Sequence, residues 1–508
     1  MNRAPQTPRI GAPLSVALAA ALVLGTAACS VPLAPGYRIV KESREVEFVP
    51  SDAPELRVRS EFTMVNSGTT DLPFIDINLP DKKEYGREDL RAEVDGREAA
   101  LAKPPADYQE EMPNAVRLEF NPPWKQKEKH QLAIEYAFRS PEDSGTHITL
   151  GADSFHLGSR GWSPVPQPPK HFMSPFPSRP DKTELDIRVP ADFLVLARGT
   201  SSGKRKEGGE IVHRFRLRAS DLAPYVVGGR YDVTGEERNA GSVVFWTRQP
   251  LKENPATADE RIEAAWVTLT TDFGPLDKNI RLPHVVESPE LRSHVERGPG
   301  PAAAAFPGGA LVNPEALALG VNSDDFLEMI THALAHNWFG DEVYPSPNAG
   351  LGMGEGLPEY ATIVIDESRN GAAGRKRRVE QYLHEYDDAV QHGKEEPLAV
   401  TMLYDPAAQR RIGLAKAPLF FAALEDACGQ SAMQKGLARV VALLRGKEVG
   451  YDDLRAALEQ SSGKNLGEIF RVWLNQKGIP EDFRQRYEDN TAEEASPTRD
   501  GTAKMEQR

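Results

Sequence analysis

The chain has 508 residues and a formal charge of −14, with 40% hydrophobic and 27% charged residues. That length exceeds one ordinary core, so two or three folded units are expected, and the composition excludes both a wholly disordered chain and a multi-span membrane protein. The acidic balance argues against nucleic acid as the main partner, because phosphate binding needs a concentrated basic surface. The basic clusters Lys204-Arg205-Lys206 and Arg375-Lys376-Arg377-Arg378 read instead as a solvated loop and the exposed start of a helix.

Residues 1–28 read as an export signal: Arg3 and Arg9 precede an apolar run from Leu14 to Leu24, and the small residues Thr26-Ala27-Ala28 follow. The apolar run is too short to span a bilayer. Cys29 comes next and resembles the lipid-bearing cysteine of a bacterial lipobox, which implies an exported protein anchored in the bacterial cell envelope through one lipidated residue. Thr26 stands where leucine is usual, so simple secretion is the alternative. Cys428, the only other cysteine, lies in an apolar helical stretch and reads as a buried small hydrophobe, not as half of a disulfide framework.

Residues 29–40, with Pro32, Pro35 and Gly36, form the expected tether. From 41 to 240 short alternating runs such as Glu45-Val46-Glu47-Phe48, residues 132–138 and residues 212–217 are punctuated by turn residues, which predicts a β-sandwich-like sheet domain. Residues 241–490 read as a mostly helical domain, giving an α+β multidomain chain overall. Helices are predicted over 256–273, 324–339, 355–367, 374–392, 416–427, 430–446, 451–461 and 465–477, with Ser323-Asp324 as a cap and Gly478 as a stop. Residues 298–309, rich in Gly, Ala and Pro, read as a loop, and the polar stretch 491–508 reads as a disordered tail.

His332 and His336 stand four apart in a helical segment, a spacing that puts both imidazoles on one face where they can share a metal ion. Alone, such a pair is more often an ordinary surface or core feature. Glu355 follows nineteen positions later in Gly354-Glu355-Gly356-Leu357-Pro358-Glu359-Tyr360, far enough for a second helix to present a carboxylate. Two histidines and a glutamate are a standard three-ligand set for one catalytic zinc ion, with the fourth position left for water or substrate. Glu359 is a candidate partner for one of the ligand histidines.

His332 to Gly340 resembles the His-Glu-Leu-Ala-His-Gln-Trp-Phe-Gly segment of the aminopeptidase N and leukotriene hydrolase family of zinc metallopeptidases (gluzincins), and Glu355 to Tyr360 resembles its downstream Glu-Gly-Phe-Ala-Glu-Tyr segment. Looser likenesses at residues 157–164, 225–231 and 470–480 occur in the family's order. The resemblance implies a thermolysin-like helical domain behind the sheet domain, without room for the large C-terminal helical domain of many members. It also marks three substitutions. In that family the glutamate after the first histidine takes the proton of the attacking water, and here the position is Ala333; losing a general base typically costs about 10²- to 10⁴-fold. A tyrosine that stabilises the oxyanion is matched by Leu414, and losing one such donor typically costs about 10²- to 10³-fold. The substrate-binding segment Gly-Ala-Met-Glu-Asn is matched by Gly309, Ala310, Leu311, Val312 and Asn313, with Val312 where the carboxylate for the substrate's amino group would stand.

The expectation is therefore an envelope-anchored metallopeptidase homologue that keeps the zinc site and has lost, or severely weakened, its peptidase activity. It would act as a binding or scaffolding protein whose cleft accepts a peptide or protein along a sheet edge. The alternative is an active aminopeptidase-like enzyme with a displaced general base, for which Asp341, Glu342 and Tyr404 are candidates, although Asp341 and Glu342 read first as solvated acids. A third reading is a structural envelope protein that uses the fold as a spacer.

Overall fold

A computed structural model describes residues 36–488, except residues 81, 83–85, 107–113, 140–147, 159–160, 168–179, 219–223, 236–242, 278–279, 281–282, 292–299, 347–348 and 402–405. The expected leader, Cys29, Tyr404 and the expected tail at 491–508 lie outside the described residues. Strand Tyr37–Val49 begins inside the stretch read as a tether.

An eight-stranded sheet carries the N-terminal half, in the order Thr200–Glu207, Glu210–Arg218, Lys182–Pro190, Tyr37–Val49, Glu55–Asn66, Lys129–Phe138, Arg87–Val94, Arg97–Glu98. All neighbours are antiparallel except Tyr37–Val49 and Lys182–Pro190, which run parallel. Period-two patterning sets the buried face: in Lys182–Pro190, Leu185, Ile187 and Val189 are fully buried while their neighbours are not. Two four-stranded sheets share this core. Phe48 of the large sheet stacks on Phe155 of one of them, with ring centroids 4.9 Å apart, and Ile75 and Ile77 enter from the other. The sandwich-like domain anticipated from alternation is thus three sheets around one core.

From Asp232 onward a five-stranded sheet and then a set of helices take over, with Asp232–Thr234 antiparallel to Val244–Thr247 at one edge of the sheet. Val244–Thr247, His284–Glu287 and Gly309–Val312 are parallel, and helix Ala256–Phe273 makes the crossover between the first two. Ala303–Phe306 then pairs antiparallel with Gly309–Val312 and forms the other edge of the sheet. Over 303–309 this corrects the loop expected at 298–309, of which residues 298 and 299 lie outside the described residues. Alanine has little intrinsic strand preference, and the hairpin is held by its pairing across the turn at Gly308, whose φ of 90° suits glycine.

Helix Asp324–Ala335 starts where expected, with the Ser323 side chain accepting a hydrogen bond from the Phe326 N–H at 3.1 Å. It ends earlier than expected, with His336 as its C-cap. The two helices predicted at 355–367 and 374–392 are the arms of one helical hairpin, Gly356–His392, broken at Gly371 (φ 63°, ψ −156°). Pairs such as Tyr382 with Glu359 and Arg377 with Asp366 show that the arms run back along each other. Trp338, Tyr360 and Phe421 are among the buried residues that join these helices to Ala407–Cys428 in one apolar cluster. Cys428 is free and buried, as read from sequence. Helix Glu481–Glu488, beyond the expected stop at Gly478, was not anticipated. Among the described residues no helix is long and apolar enough to cross a membrane.

Candidate metal centre

Helix Asp324–Ala335 delivers His332 from its last turn and His336 from its cap, so the four-residue spacing survives the early helix end. Glu355 comes from the junction between the short helix Gly350–Gly354 and the hairpin, with φ −107° and ψ −41°. The two Nε2 atoms lie 3.1 Å apart, and Glu355 Oε2 lies 3.6 Å from each. Donors about 2.0–2.2 Å from one ion in tetrahedral array stand about 3.3 Å from one another, so the three atoms already bracket the distances a zinc ion requires. Among the described residues this is the one group of histidine, cysteine or carboxylate side chains arranged to hold a metal ion. The ligand side chains are 22–30% exposed, which leaves the site open to solvent on one side.

The far nitrogens fix which lone pairs point inward. His336 Nδ1 lies 3.3 Å from the Phe339 carbonyl, which can only accept, so that ring carries its proton on Nδ1 and presents Nε2 bare. His332 Nδ1 lies 3.3 Å from Glu359 Oε1. Glu359 Oε2 in turn accepts from the Tyr382 hydroxyl at 2.6 Å, and Thr362 Oγ1 is 2.9 Å from that same hydroxyl. Glu359 thus faces the far nitrogen of His332, and the hydroxyls of Tyr382 and Thr362 gather behind Glu359. Sequence reading missed Tyr382 and Thr362, because their approach depends on the hairpin turn at Gly371.

Burial opposes charge on His332, but Glu359 and then Glu355 outweigh it and raise the metal-free imidazole to about 10. Burial likewise opposes charge on Glu355, yet His336 and His332 hold its carboxyl far below the ordinary range. Burial and His332 act in the same opposed way on Glu359, with a net lowering. The metal-free cluster is therefore an ion-paired set whose carboxylates are ionised, and it must release the His332 proton to become a ligand set.

Ala333 is 1% exposed and its methyl packs into the helical core. Leu414 is partly buried on helix Ala407–Cys428 and packs against the same cluster. Asp341 and Glu342 are not the solvated acids that their sequence position suggested. Asp341 pairs with the buried Arg198 from the strand-rich half, and Glu342, with a fully buried side chain, lies 2.5 Å from Arg445 Nε and accepts from the Asp277 N–H at 3.0 Å. Both carboxylates are committed to the fold.

The expected substrate-binding segment requires correction. Gly309, Ala310 and Val312 lie on an interior strand hydrogen-bonded on both sides, and all are buried. Asn313 caps the short helix Pro314–Ala318: its Oδ1 accepts from Ala316 and Ala302, and its Nδ2 donates to Gly300. None of these groups is available to a bound chain. Of the two edge strands of this sheet, Asp232–Thr234 and Ala303–Phe306, the second is the one that packs against the histidine helix, and its side chains are three methyls and a buried phenyl.

Residues 309–473 match the peptidase family M1 domain. A 168-residue stretch is 29% identical to aminopeptidase N of Lactobacillus delbrueckii subsp. lactis, covering 30% of this chain and 19% of that protein. A 186-residue stretch is 27% identical to aminopeptidase M1 of Arabidopsis thaliana, covering 34% of this chain and 20% of that protein. The matches thus span about a fifth of the length of these relatives. In three dimensions the chain is similar to the M1 zinc metallopeptidase of Deinococcus radiodurans, with a TM-score of 0.60 and 16% identity over 88% of this chain and 95% of that one. A mutant of that enzyme bound to a Tyr-Ser-Ala substrate gives a TM-score of 0.61 at 16% identity, again over 88% and 95% of the two chains. At such identity the likeness is one of fold.

Proposed function

We propose that this chain, a member of the aminopeptidase N-like gluzincins of peptidase family M1 with zinc as its cofactor, grips an extended peptide or protein segment without cutting it at an ordinary rate. Zinc, when bound by His332, His336 and Glu355, supplies a Lewis acid for a carbonyl and its attacking water. What is missing is a base. The methyl of Ala333 cannot take a proton, and this single observation carries the reading.

The neighbouring carboxylates support it. Glu359 faces the far nitrogen of His332, while Asp341 and Glu342 are held in buried pairs with Arg198 and Arg445. No carboxylate stands in Ala303–Phe306 to serve as counter-charge for a free amino terminus. A partner segment would add to that free strand edge through main-chain hydrogen bonds, with selection for chain ends relaxed. In this reading the protein is exported, held at the bacterial cell envelope through lipid on Cys29, and serves there as a binding or scaffolding protein.

Zinc content and hydrolysis measured on one preparation test the proposal. About one zinc per chain is expected, with hydrolysis of aminoacyl and internal peptide substrates at or near background. Ala333→Glu should raise any residual rate by about 10²- to 10⁴-fold, more so when combined with Leu414→Tyr. An ordinary, chelator-sensitive rate in the unaltered protein would overturn it.

A further inference from the structure

Beside the metal centre, and separate from its ligands, lies a cavity of about 460 Å³ between the histidine helix and the two arms of the hairpin. Glu328 and Thr331 line it from the helix, Thr362 and Asp366 from the outgoing arm, and Arg378 from the returning arm. Apart from Asp325, an exposed acid at its rim, its charges are already matched. Arg378 Nη1 lies 2.5 Å from Glu328 Oε1, Asp366 Oδ1 accepts from Arg377 at 2.6 Å and from Asn370 at 2.7 Å, and Arg369 donates to Asp324 at 3.0 Å. A ligand that placed a full charge deeper than that rim would have to break one of these pairs.

The unmatched atoms are polar and deeply placed. Thr331 Oγ1, Asp366 Oδ2 and Arg378 Nε are buried without a hydrogen-bond partner, in residues of which Thr331 is 1% and Asp366 6% exposed. Buried polar groups are nearly always satisfied, so the cavity calls for an occupant that satisfies these. Asp366 Oδ2 and Arg378 Nε stand 3.7 Å apart. One group can donate to the carboxylate and accept from the guanidinium across that gap only if it does both, as a hydroxyl does and as a carbonyl or an ammonium does not. A water molecule also does both, but it occupies only about 30 Å³ of liquid volume, and the cavity falls within the range of about 300–1,000 Å³ typical of small-molecule sites.

We propose that this cavity binds a neutral, polyhydroxylated small molecule of monosaccharide size. One hydroxyl bridges Asp366 and Arg378, and another pairs with Thr331. The occupant also touches Thr362, whose hydroxyl lies 2.9 Å from that of Tyr382, the donor to Glu359 behind His332. Through Thr362 and Tyr382 the occupant is thus linked to Glu359, which faces the far nitrogen of His332. The inference does not depend on whether the metal site cuts peptides.

Titration calorimetry on the full, zinc-loaded chain, with glucose and myo-inositol as probes and glycine as the charged comparator, tests it. Saturable binding is expected with at least one polyol and not with glycine. Thr331→Val, which removes the hydroxyl while nearly preserving volume, should weaken it about three- to tenfold. Asp366→Asn provides a second variant, with a melting curve on each to establish folding, and should weaken it as well. No saturable heat with either polyol, unchanged affinity in both folded variants, or preference for glycine would overturn the proposal and leave the cavity to ordered water.

Discussion

Replacing Arg198 by alanine would leave the carboxylate of Asp341 buried without its countercharge. The two side chains are 6% and 8% exposed, and they join the strand-rich half to the segment that leaves the histidine helix. Breaking a buried pair from one side typically costs about 3–5 kcal/mol, whereas an exposed pair is worth about 1 kcal/mol or less. The loss in a urea titration should therefore fall in the higher range and persist in about 1 M NaCl, where exposed pairs are screened. The double variant Arg198→Met with Asp341→Leu should recover most of it, because it buries no orphan charge. Since the Asp341 N–H donates to the His336 carbonyl at 3.1 Å, zinc content should fall in the single variant and return in the double. A single-variant cost below about 1 kcal/mol, or one abolished by salt, would refute the reasoning.

Other expectations concern the metal centre and its surroundings. Tyr382→Phe removes the donor to Glu359 and should weaken zinc binding about tenfold in competition with a chromophoric chelator; unchanged affinity would show that Glu359 needs no such support. Because His332 is raised to about 10 in the metal-free chain, zinc binding between pH 6 and 8 should release about one proton per ion and tighten about tenfold per pH unit. An affinity independent of pH over that interval would contradict the assignment of His332. Glu342 is raised to about 7, first by burial and then by Asp341. A carboxyl raised on folding stabilises below its unfolded value and loses that contribution as pH climbs through the folded one. The unaltered protein should therefore lose about 3 kcal/mol relative to Glu342→Gln between pH 4.5 and 7, and parallel stability curves for the two would argue that the carboxyl is not buried.

The ligand set was legible in the sequence because its signal is local: His332 and His336 need only one helix, and Glu355 needs only the next turn of chain. The alternating strands of the N-terminal half were legible for the same reason, since period-two burial is written residue by residue. The fates of Asp341 and Glu342 were not. Their partners, Arg198 and Arg445, lie far away in the chain, and an acid just past a helix reads as solvated until the packing is known. The inaccessibility of the expected substrate segment was not legible either. Gly309-Ala310-Leu311-Val312-Asn313 looks like the family motif, but pairing on both sides makes it interior and leaves the alanine-rich run before it as an edge. The gap between the helices predicted at 355–367 and 374–392 anticipated the break at Gly371, but not the folding back of the second arm that brings Tyr382 to Glu359.

His332 occupies the last turn of its helix and His336 its cap, so both imidazoles project from the carboxyl end of twelve aligned peptide units. The carbonyls there carry a partial negative charge equivalent to roughly half an electron, and a cation held close by gains on the order of 0.3–1 kcal/mol from it. This attraction comes from the backbone and is indifferent to which side chain follows the first histidine. Divalent-cation retention and hydrolytic competence thus have separate physical origins in this scaffold, and a lineage can lose the second while the first persists.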